Sequence, residues 1–327
     1  MTDVARLAGV SHQTVSRVLN QHPNVRPLTR EHVIAAVRAL GYRPNAVARS
    51  LVTRRTNALG VISFDTTLFG PASMLHGIEQ AARPQYSVTI ASLPALDRRS
   101  VLDAVDQFLG QAVEGIIVIA PQTSAVTVLS GLTADVPLVA VGCGILSSLP
   151  SVAIDNVAGA LAATQHLLAL GHRTVHHVGG PAFSLDTLER VDGWSQALWS
   201  AGAPLCEPLR GDWSARSGYE LGHQLARLPG VTAAFCANDQ MALGLIRALS
   251  ELDIRVPDDV SVVGFDDIPE SEFFLPPLTT VRQDFGELGR RALRLIVDRI
   301  NGDQAPGLAD PVAPELVVRA STTRPGR

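Results

Sequence analysis

The stretch Ser11-His12-Gln13-Thr14, continued by Ser16-Arg17, gathers the residue types that can read a nucleic acid. A glutamine can hold an adenine edge with two hydrogen bonds, an arginine can do the same to guanine, and serine and threonine hydroxyls can hold phosphates. Val15, Val18 and Leu19 fall at the spacings of one helix face, so His12, Gln13 and Arg17 project from the neighbouring faces. The plain alternative is a solvated helix surface. Charge weighs against it: residues 1 to 55 carry nine arginines against Asp3 and Glu31, a net +7, inside a chain of net −4 whose remainder is −11. Such a concentration is the electrostatic footprint of a module built for a polyanion. All 27 basic residues are arginine. The guanidinium fork suits phosphate and guanine, but a codon bias explains the lack of lysine equally well.

Catalytic signatures are scarce elsewhere. There is no GxSxG elbow, GxxxxGK[ST] phosphate loop or HExxH helix, and Gly142-Cys143-Gly144 lacks the third glycine of a dinucleotide turn. His176-His177 lies in an apolar run with a strand pattern, where neighbouring side chains take opposite faces, so the pair fits a core better than a metal site. The acidic run Asp266, Asp267, Glu270 and Glu272 follows another such run and reads as a loop, although it could resemble a cation site. Cys143, Cys206 and Cys236 are far apart and read as small buried apolar residues. No cofactor and no metal is expected.

These groups need a frame. With 327 residues, 46 % hydrophobic, and a mean hydropathy of +0.19, the chain can bury two cores and carry a small extra module. The basic segment reads as three helices: Asp3 to Ala8; a turn at Gly9-Val10; Ser11 capping His12 to Asn20; and a third helix from Pro27 to Gly41. After Pro44, NAVARSLVTRRTNALG has the look of a hinge. From Leu59 the pattern changes to short β-branched runs at 59–63, 86–93, 115–120, 137–142, 174–180, 232–238 and 259–267, with helical stretches between them. Near-continuous apolar strands separated by amphipathic helices indicate parallel sheets covered on both faces, here in two lobes. Helix 285–300 and strand 315–322 are expected to cross back to the first lobe. No apolar run is long enough to span a membrane, and the N-terminus lacks the pattern of an export signal, so a cytoplasmic protein is expected.

The segments DVARLAGVSHQTVSRVLN and TREHVIAAVRALGYRPNAVARSL resemble the DNA-binding module and hinge of the LacI/GalR family of bacterial repressors. RGDWSARSGYE, ANDQMALG, SVVGFDD and PPLTTVRQDFGELG are similar to later segments of that family in the same order, so the likeness covers nearly the whole chain. The resemblance implies an α/β fold: a helix-turn-helix module at 1–44, a hinge helix and linker at 45–56, and an effector-binding and dimerisation domain at 57–327. That domain is type I periplasmic-binding-protein-like, with doubly wound lobes at about 57–156 plus 285–322 and at about 157–284. It implies a transcriptional repressor whose grip on double-stranded operator DNA is controlled by a small sugar, such as a galactoside, held between the lobes of each protomer of a homodimer. No leucine-heptad tail follows Ser321, which points to a dimer rather than a tetramer.

The same resemblance implies that His12, Gln13 and Arg17 read bases, that Thr14, Ser16, Asn20, Asn24 and Thr29 touch the DNA backbone or brace the module, and that Leu51 wedges into the minor groove. A short polar hinge helix is marginal alone, so folding on DNA would make it a switch. Sugar contacts are implied at Arg190, Asn238 and Asp266, with Trp213, Gln283 and Phe285 as the wall; an aromatic face suits a pyranose ring, and the polar groups suit its hydroxyls. Ordinary alternatives stay open: Asn238-Asp239 could cap a helix, Trp213 could be core packing, and Asp266 could sit in a plain loop. The chain departs from a well-known family member at the ligand positions Phe64, Asp65, Gly70 and Asp186, and Gly142 replaces an acidic contact, so the effector's identity does not carry over. A secreted sugar receptor or a sugar-modifying enzyme could share the core. The first would leave residues 1–55 without a role; the second needs a nucleophile, an acid–base pair or a metal, and only scattered carboxylates are available.

Overall fold

The computed structural model describes residues 1–19, 22–42, 55–93, 97–132, 134–143, 149–303 and 309–326; the expected DNA contacts Asn20 and Leu51 lie outside them. The chain divides into two compact units, Met1–Asn57 and Ala58–Arg327.

In the first unit, α1 (Thr2–Ala8), α2 (His12–Leu19) and α3 (Pro27–Ala39) surround a small core of Val4, Ala5, Val15, Val18, Val33 and Ala36. Gly9 ends α1 in the left-handed region at φ 66°, and the Val10 N–H returns to the Ala5 carbonyl at 3.0 Å, a closure that glycine makes without Cβ strain. Ser11 Oγ accepts the Thr14 N–H at 3.2 Å, so Ser11 caps α2. Pro27 opens α3, where its missing N–H costs nothing.

The second unit holds two parallel sheets. β1 (Ala58–Phe64), β2 (Ser87–Leu93), β3 (Gly115–Ile119), β4 (Leu138–Val141) and β5 (Ser151–Val152) lie in the order β2-β1-β3-β4-β5. Every residue of β3 is buried because both faces of the sheet are covered. Ile116 and Val118 face the side packed by α5 (Arg98–Gly110) and α6 (Thr123–Ser130). Ile117 and Ile119 face α4 (Phe69–Ala82) and the late helix, α11 (Phe285–Ile300).

In the second lobe, β6 (His176–Gly179), β7 (Leu209–Arg210), β8 (Ala233–Cys236) and β9 (Ser261–Val263) run in the order β7-β6-β8-β9. α7 (Asn156–Ala169) and α8 (Leu185–Ser200) cover one face, and α9 (Ala215–Leu225) and α10 (Asp239–Glu251) the other. Among the described residues no helix is long and apolar enough to cross a membrane.

The expected return of segment 315–322 to the first lobe is corrected. β11 (Glu315–Val317) pairs antiparallel with β10 (Thr280–Arg282), and Val281 and Leu316 pack into the second-lobe core. The Ser321 hydroxyl donates to the Val262 carbonyl at 2.6 Å and accepts the Thr279 N–H at 2.8 Å. Three paired residues present one apolar face, which either lobe could have buried.

α4 and α11 meet at Gly77 and Gly289, where a Cβ on either residue would strike the backbone of the opposite helix. Gly289→Val is therefore expected to destabilise the chain by about 1–3 kcal/mol through overpacking. It should appear as a lower urea midpoint at unchanged slope.

Candidate functional site

Chain leaving the carboxyl ends of six parallel strands lines one cavity of about 250 Å³ between the two lobes. This is where open parallel sheets present their ligand sites, because the turns there face a common crevice. Phe64, Asp65, Leu68, Phe69, Gly70 and Pro71 follow β1 and enter α4; Pro121 and Gln122 follow β3. The second lobe supplies Pro181, Phe183, Ser184, Asp186 and Arg190 after β6, Asp212 and Trp213 after β7, Asn238 after β8 and Asp266 after β9. The wall is therefore mainly apolar on the first lobe and polar on the second.

Arg190 organises the polar side. Its Nε donates to Asn156 Oδ1 at 2.9 Å, its Nη1 donates to the Ala237 carbonyl, and Nη1 lies 3.7 Å from Asp266 Oδ1. The guanidinium also stacks 3.8 Å from the centre of the Phe265 ring and 5.6 Å from that of Trp213, contacts that a desolvated cation makes favourably. Asn156 Nδ2 in turn donates to Asp186 Oδ1 at 3.1 Å and Glu189 Oε2 at 2.9 Å.

One arginine does not balance three carboxylates removed from water. Burial, with Asp239 and Asp186 nearby, pushes Asp266 up to about 8 despite Arg190, and burial pushes Glu189 up to about 7. Asp186 is also raised by desolvation, with Arg190 and Asn156 opposing. Asp212, by contrast, is held below its ordinary value by hydrogen bonds from Ser214. Asp65, Trp213 and Asp266 adopt φ of 41°, 75° and 114°, backbone strain of the kind that collects at binding sites when the surroundings enforce it. The enforcing contacts are present: Thr67 donates to the Asp65 carboxylate, Asn238 Nδ2 donates to the Trp213 carbonyl at 2.9 Å, and the Asp266 N–H donates to the Val281 carbonyl at 2.8 Å.

Eight of the expected effector residues line the cavity: Phe64, Asp65, Gly70, Asp186, Arg190, Trp213, Asn238 and Asp266. Gln283 and Phe285 do not. Each stands one layer behind, Gln283 Nε2 donating to Asp266 Oδ1 at 2.6 Å and Phe285 meeting Phe69 edge-on at 6.0 Å between centroids. They fix wall residues rather than form the wall. Asn238 does both jobs considered for it, accepting the Met241 N–H as the cap of α10 while facing the cavity. Leu68, Phe69, Pro121, Gln122, Phe183 and Asp212 are lining residues that sequence reasoning missed, and their one signal is a position just past a strand or at the start of a helix; Asn156 and Glu189, behind the wall, were missed as well.

Asp267 and His177 have structural roles. Asp267 is locked by Arg282 Nε at 2.7 Å and Arg319 Nη2 at 2.6 Å. His177 is core, stacked on Phe235 and Trp194 and held by burial near 3, and Cys206 is only half-buried, unlike Cys143 and Cys236.

The lobes also grip each other beside the cavity. The Leu185 N–H donates to the Pro121 carbonyl at 2.9 Å and the Thr123 N–H to the Phe183 carbonyl at 3.0 Å. The Leu185 side chain is buried in the first-lobe core, and Phe69, from the first lobe, packs against the second-lobe core.

In the first unit, His12, Gln13 and Arg17 of α2 and Asn24 are exposed, and Thr14, Ser16 and Thr29 are half-buried. The loop before α3 is braced by Arg30 Nη2, which donates to the His22 carbonyl at 2.8 Å.

Comparison with known proteins agrees with this architecture. Residues 1–45 match the bacterial regulatory proteins of the lacI family, and residues 164–322 match a periplasmic binding protein-like domain. The chain is 35 % identical to the lactose operon repressor of Escherichia coli (strain K12) over 98 % of its own length and 89 % of the relative's. It is 34 % identical to the HTH-type transcriptional repressor PurR of Mannheimia succiniciproducens over 98 % of both chains. A crystal structure of the lac repressor dimer bound to operator and the anti-inducer ONPF superposes with a TM-score of 0.85 at 34 % identity, covering 98 % of each chain. A basic three-helix unit and a two-lobed ligand-binding unit thus occur together in a chain that belongs to the lacI family of bacterial regulatory proteins, DNA-binding transcriptional repressors with a ligand-binding domain.

Proposed function

We propose that this repressor acts in the cytoplasm as a homodimer on a pseudo-palindromic operator and releases it when an uncharged sugar, such as a galactoside, occupies the cavity. The observation that carries the reading is the convergence of Asp186, Arg190, Trp213, Asn238 and Asp266 on the second lobe opposite Phe64 and Phe69 on the first. Hydroxyls that both donate and accept meet partners of both kinds, and a ring face meets aromatic carbon. Each protomer inserts α2 into one half-site, where His12, Gln13 and Arg17 read bases; Thr14, Ser16, Asn20, Asn24 and Thr29 hold the backbone or brace the module, and Leu51 wedges into the minor groove. Two-fold symmetry of the dimer then matches that of the operator. A coupling of about 1–3 kcal/mol between sugar and DNA shifts operator affinity about 5–150-fold. The ligand leaves unchanged, since the reading includes no chemical step.

The test is a gel shift on the DNA upstream of this protein's own gene, with galactose, lactose, glucose and cellobiose added in turn. One of these sugars should weaken the complex. Retention of the operator under all four would sink the sugar reading.

The cavity's charge also selects. Of the four acidic residues that line it, Asp65, Asp186, Asp212 and Asp266, Asp212 is held ionised by Ser214, and the lining arginine is already engaged by Asn156, Ala237 and Asp266. Galactose 6-phosphate is therefore expected to bind at least about tenfold more weakly than galactose, or about 1.4 kcal/mol, by isothermal titration calorimetry. Equal affinities would show that the carboxylates do not face the ligand.

A further inference from the structure

We infer that Asn156 is a positioning residue that couples the cavity to the crossover between the lobes, an inference that rests on the sugar-response reading above. Ile154 belongs to the first-lobe core and pairs with Val312, whereas Ala160, one turn into α7, belongs to the second-lobe core. Asn156 sits between them as the first residue of α7, 3 % exposed, after the N-cap Asp155. A point where the chain passes from one lobe to the other is therefore also the point from which a side chain holds two residues that line the cavity.

The amide makes three bonds, all to α8. Its Nδ2 donates to Asp186 and Glu189, and its Oδ1 accepts from Arg190 Nε. Asp186 and Arg190 line the cavity; Glu189 does not. Only a neutral group that donates and accepts at this reach can serve both carboxylates and the guanidinium. Aspartate would set a third carboxylate beside Asp186 and Glu189, and leucine, of similar shape, would break all three bonds. A ligand that moves Asp186 or Arg190 must pull on Asn156 and, through it, on the backbone at 154–156.

The arrangement also links the site to pH. The charged groups around the amide are Asp186, Glu189 and Arg190 on α8, Asp155 at the α7 cap, and Asp266 after β9. The Asn156 amide holds Asp186 and Glu189 below the values that burial alone would set. Loss of that donor moves the titration of both carboxylates upward, and the pH profile of sugar binding follows.

The experiment compares full-length wild type, Asn156→Leu and Asn156→Asp. Operator affinity is measured without sugar and at saturation with whichever of galactose, lactose, glucose and cellobiose releases the wild type. Coupling predicts operator affinity within about threefold of wild type without sugar, and release cut to less than about threefold even at saturation. The pH midpoint of sugar binding should rise in Asn156→Leu. A residue that merely supports the fold would weaken sugar binding yet leave release at saturation and the pH midpoint unchanged, which overturns the inference. Should the Asn156 variants not fold, Glu189→Gln reads the same link: sugar binding should lose the part of its pH dependence centred near about 7 and keep the part set by Asp266 near about 8, and an unchanged profile overturns it. A wild-type chain that keeps its operator under every sugar overturns the sugar reading and the coupling together; wild type and variants that release equally overturn the coupling alone.

Discussion

Arg190→Leu is expected to abolish the sugar response and to lower stability, while operator affinity without sugar stays within about threefold of wild type. The side chain is 4 % exposed and joins Asn156, Ala237 and Asp266 while stacking on Phe265. Its loss strands a buried carbonyl and leaves three carboxylates, Asp186, Glu189 and Asp266, without a cation. Removing one partner of a buried ion pair typically costs about 3–5 kcal/mol. The lower end applies at neutral pH, because burial already keeps Asp266 largely protonated, with its midpoint at about 8. The sign follows from that midpoint. A carboxyl raised in the folded state contributes stability that is complete below its unfolded value near 3.8 and is lost as pH rises through the folded value. Without Arg190 that loss deepens, so the variant should differ more from wild type at pH 8.5 than at pH 6 in urea unfolding. Calorimetry should detect no sugar binding at concentrations about 100-fold above the wild-type dissociation constant. An unimpaired response in Arg190→Leu would remove the central residue from the proposed site.

Arg17→Ala should weaken operator binding by about 1–3 kcal/mol and relax the choice of base at one position of each half-site, as expected for a side chain that grips guanine with two hydrogen bonds. Arg17 is exposed on α2, whose Val15 and Val18 anchor the helix in the core, so the substitution removes a reading group without disturbing packing. The measurement is a gel shift across operators changed one base pair at a time. Loss of equal size on every sequence, with a shallower salt dependence, would make Arg17 a phosphate contact instead.

The legible parts of this chain were those in which one physical rule acts alone. Runs such as Gly115–Ile119 read as buried parallel strands because nothing but coverage on both faces tolerates such continuous apolar character, and the structure buries all five residues. Ser11 and Pro27 marked helix starts because cap chemistry is local. Asp186, Arg190, Asn238 and Asp266 were reached through resemblance and then found on one wall. Gln283 and Phe285 were placed one layer too far forward, since a residue that touches a wall residue and one that touches the ligand have the same composition; only depth separates them. Asn156 and Glu189 left no pattern because their partners lie 30 or more residues away or are fixed by helix packing. Strand Glu315–Val317 was misassigned for a related reason: its partner is remote in sequence and antiparallel, and the apolar alternation does not name a lobe.

The reciprocal insertion of Leu185 and Phe69 limits how this clamshell can gape. Each lobe stoppers the other's interior, so a wide yawn must drag a buried leucine into water, at about 1.5–3 kcal/mol, and uncover the packed part of a phenylalanine as well. Small rotations that keep both stoppers seated escape that penalty. The jaw angle is thereby left with a short, stiff range of travel.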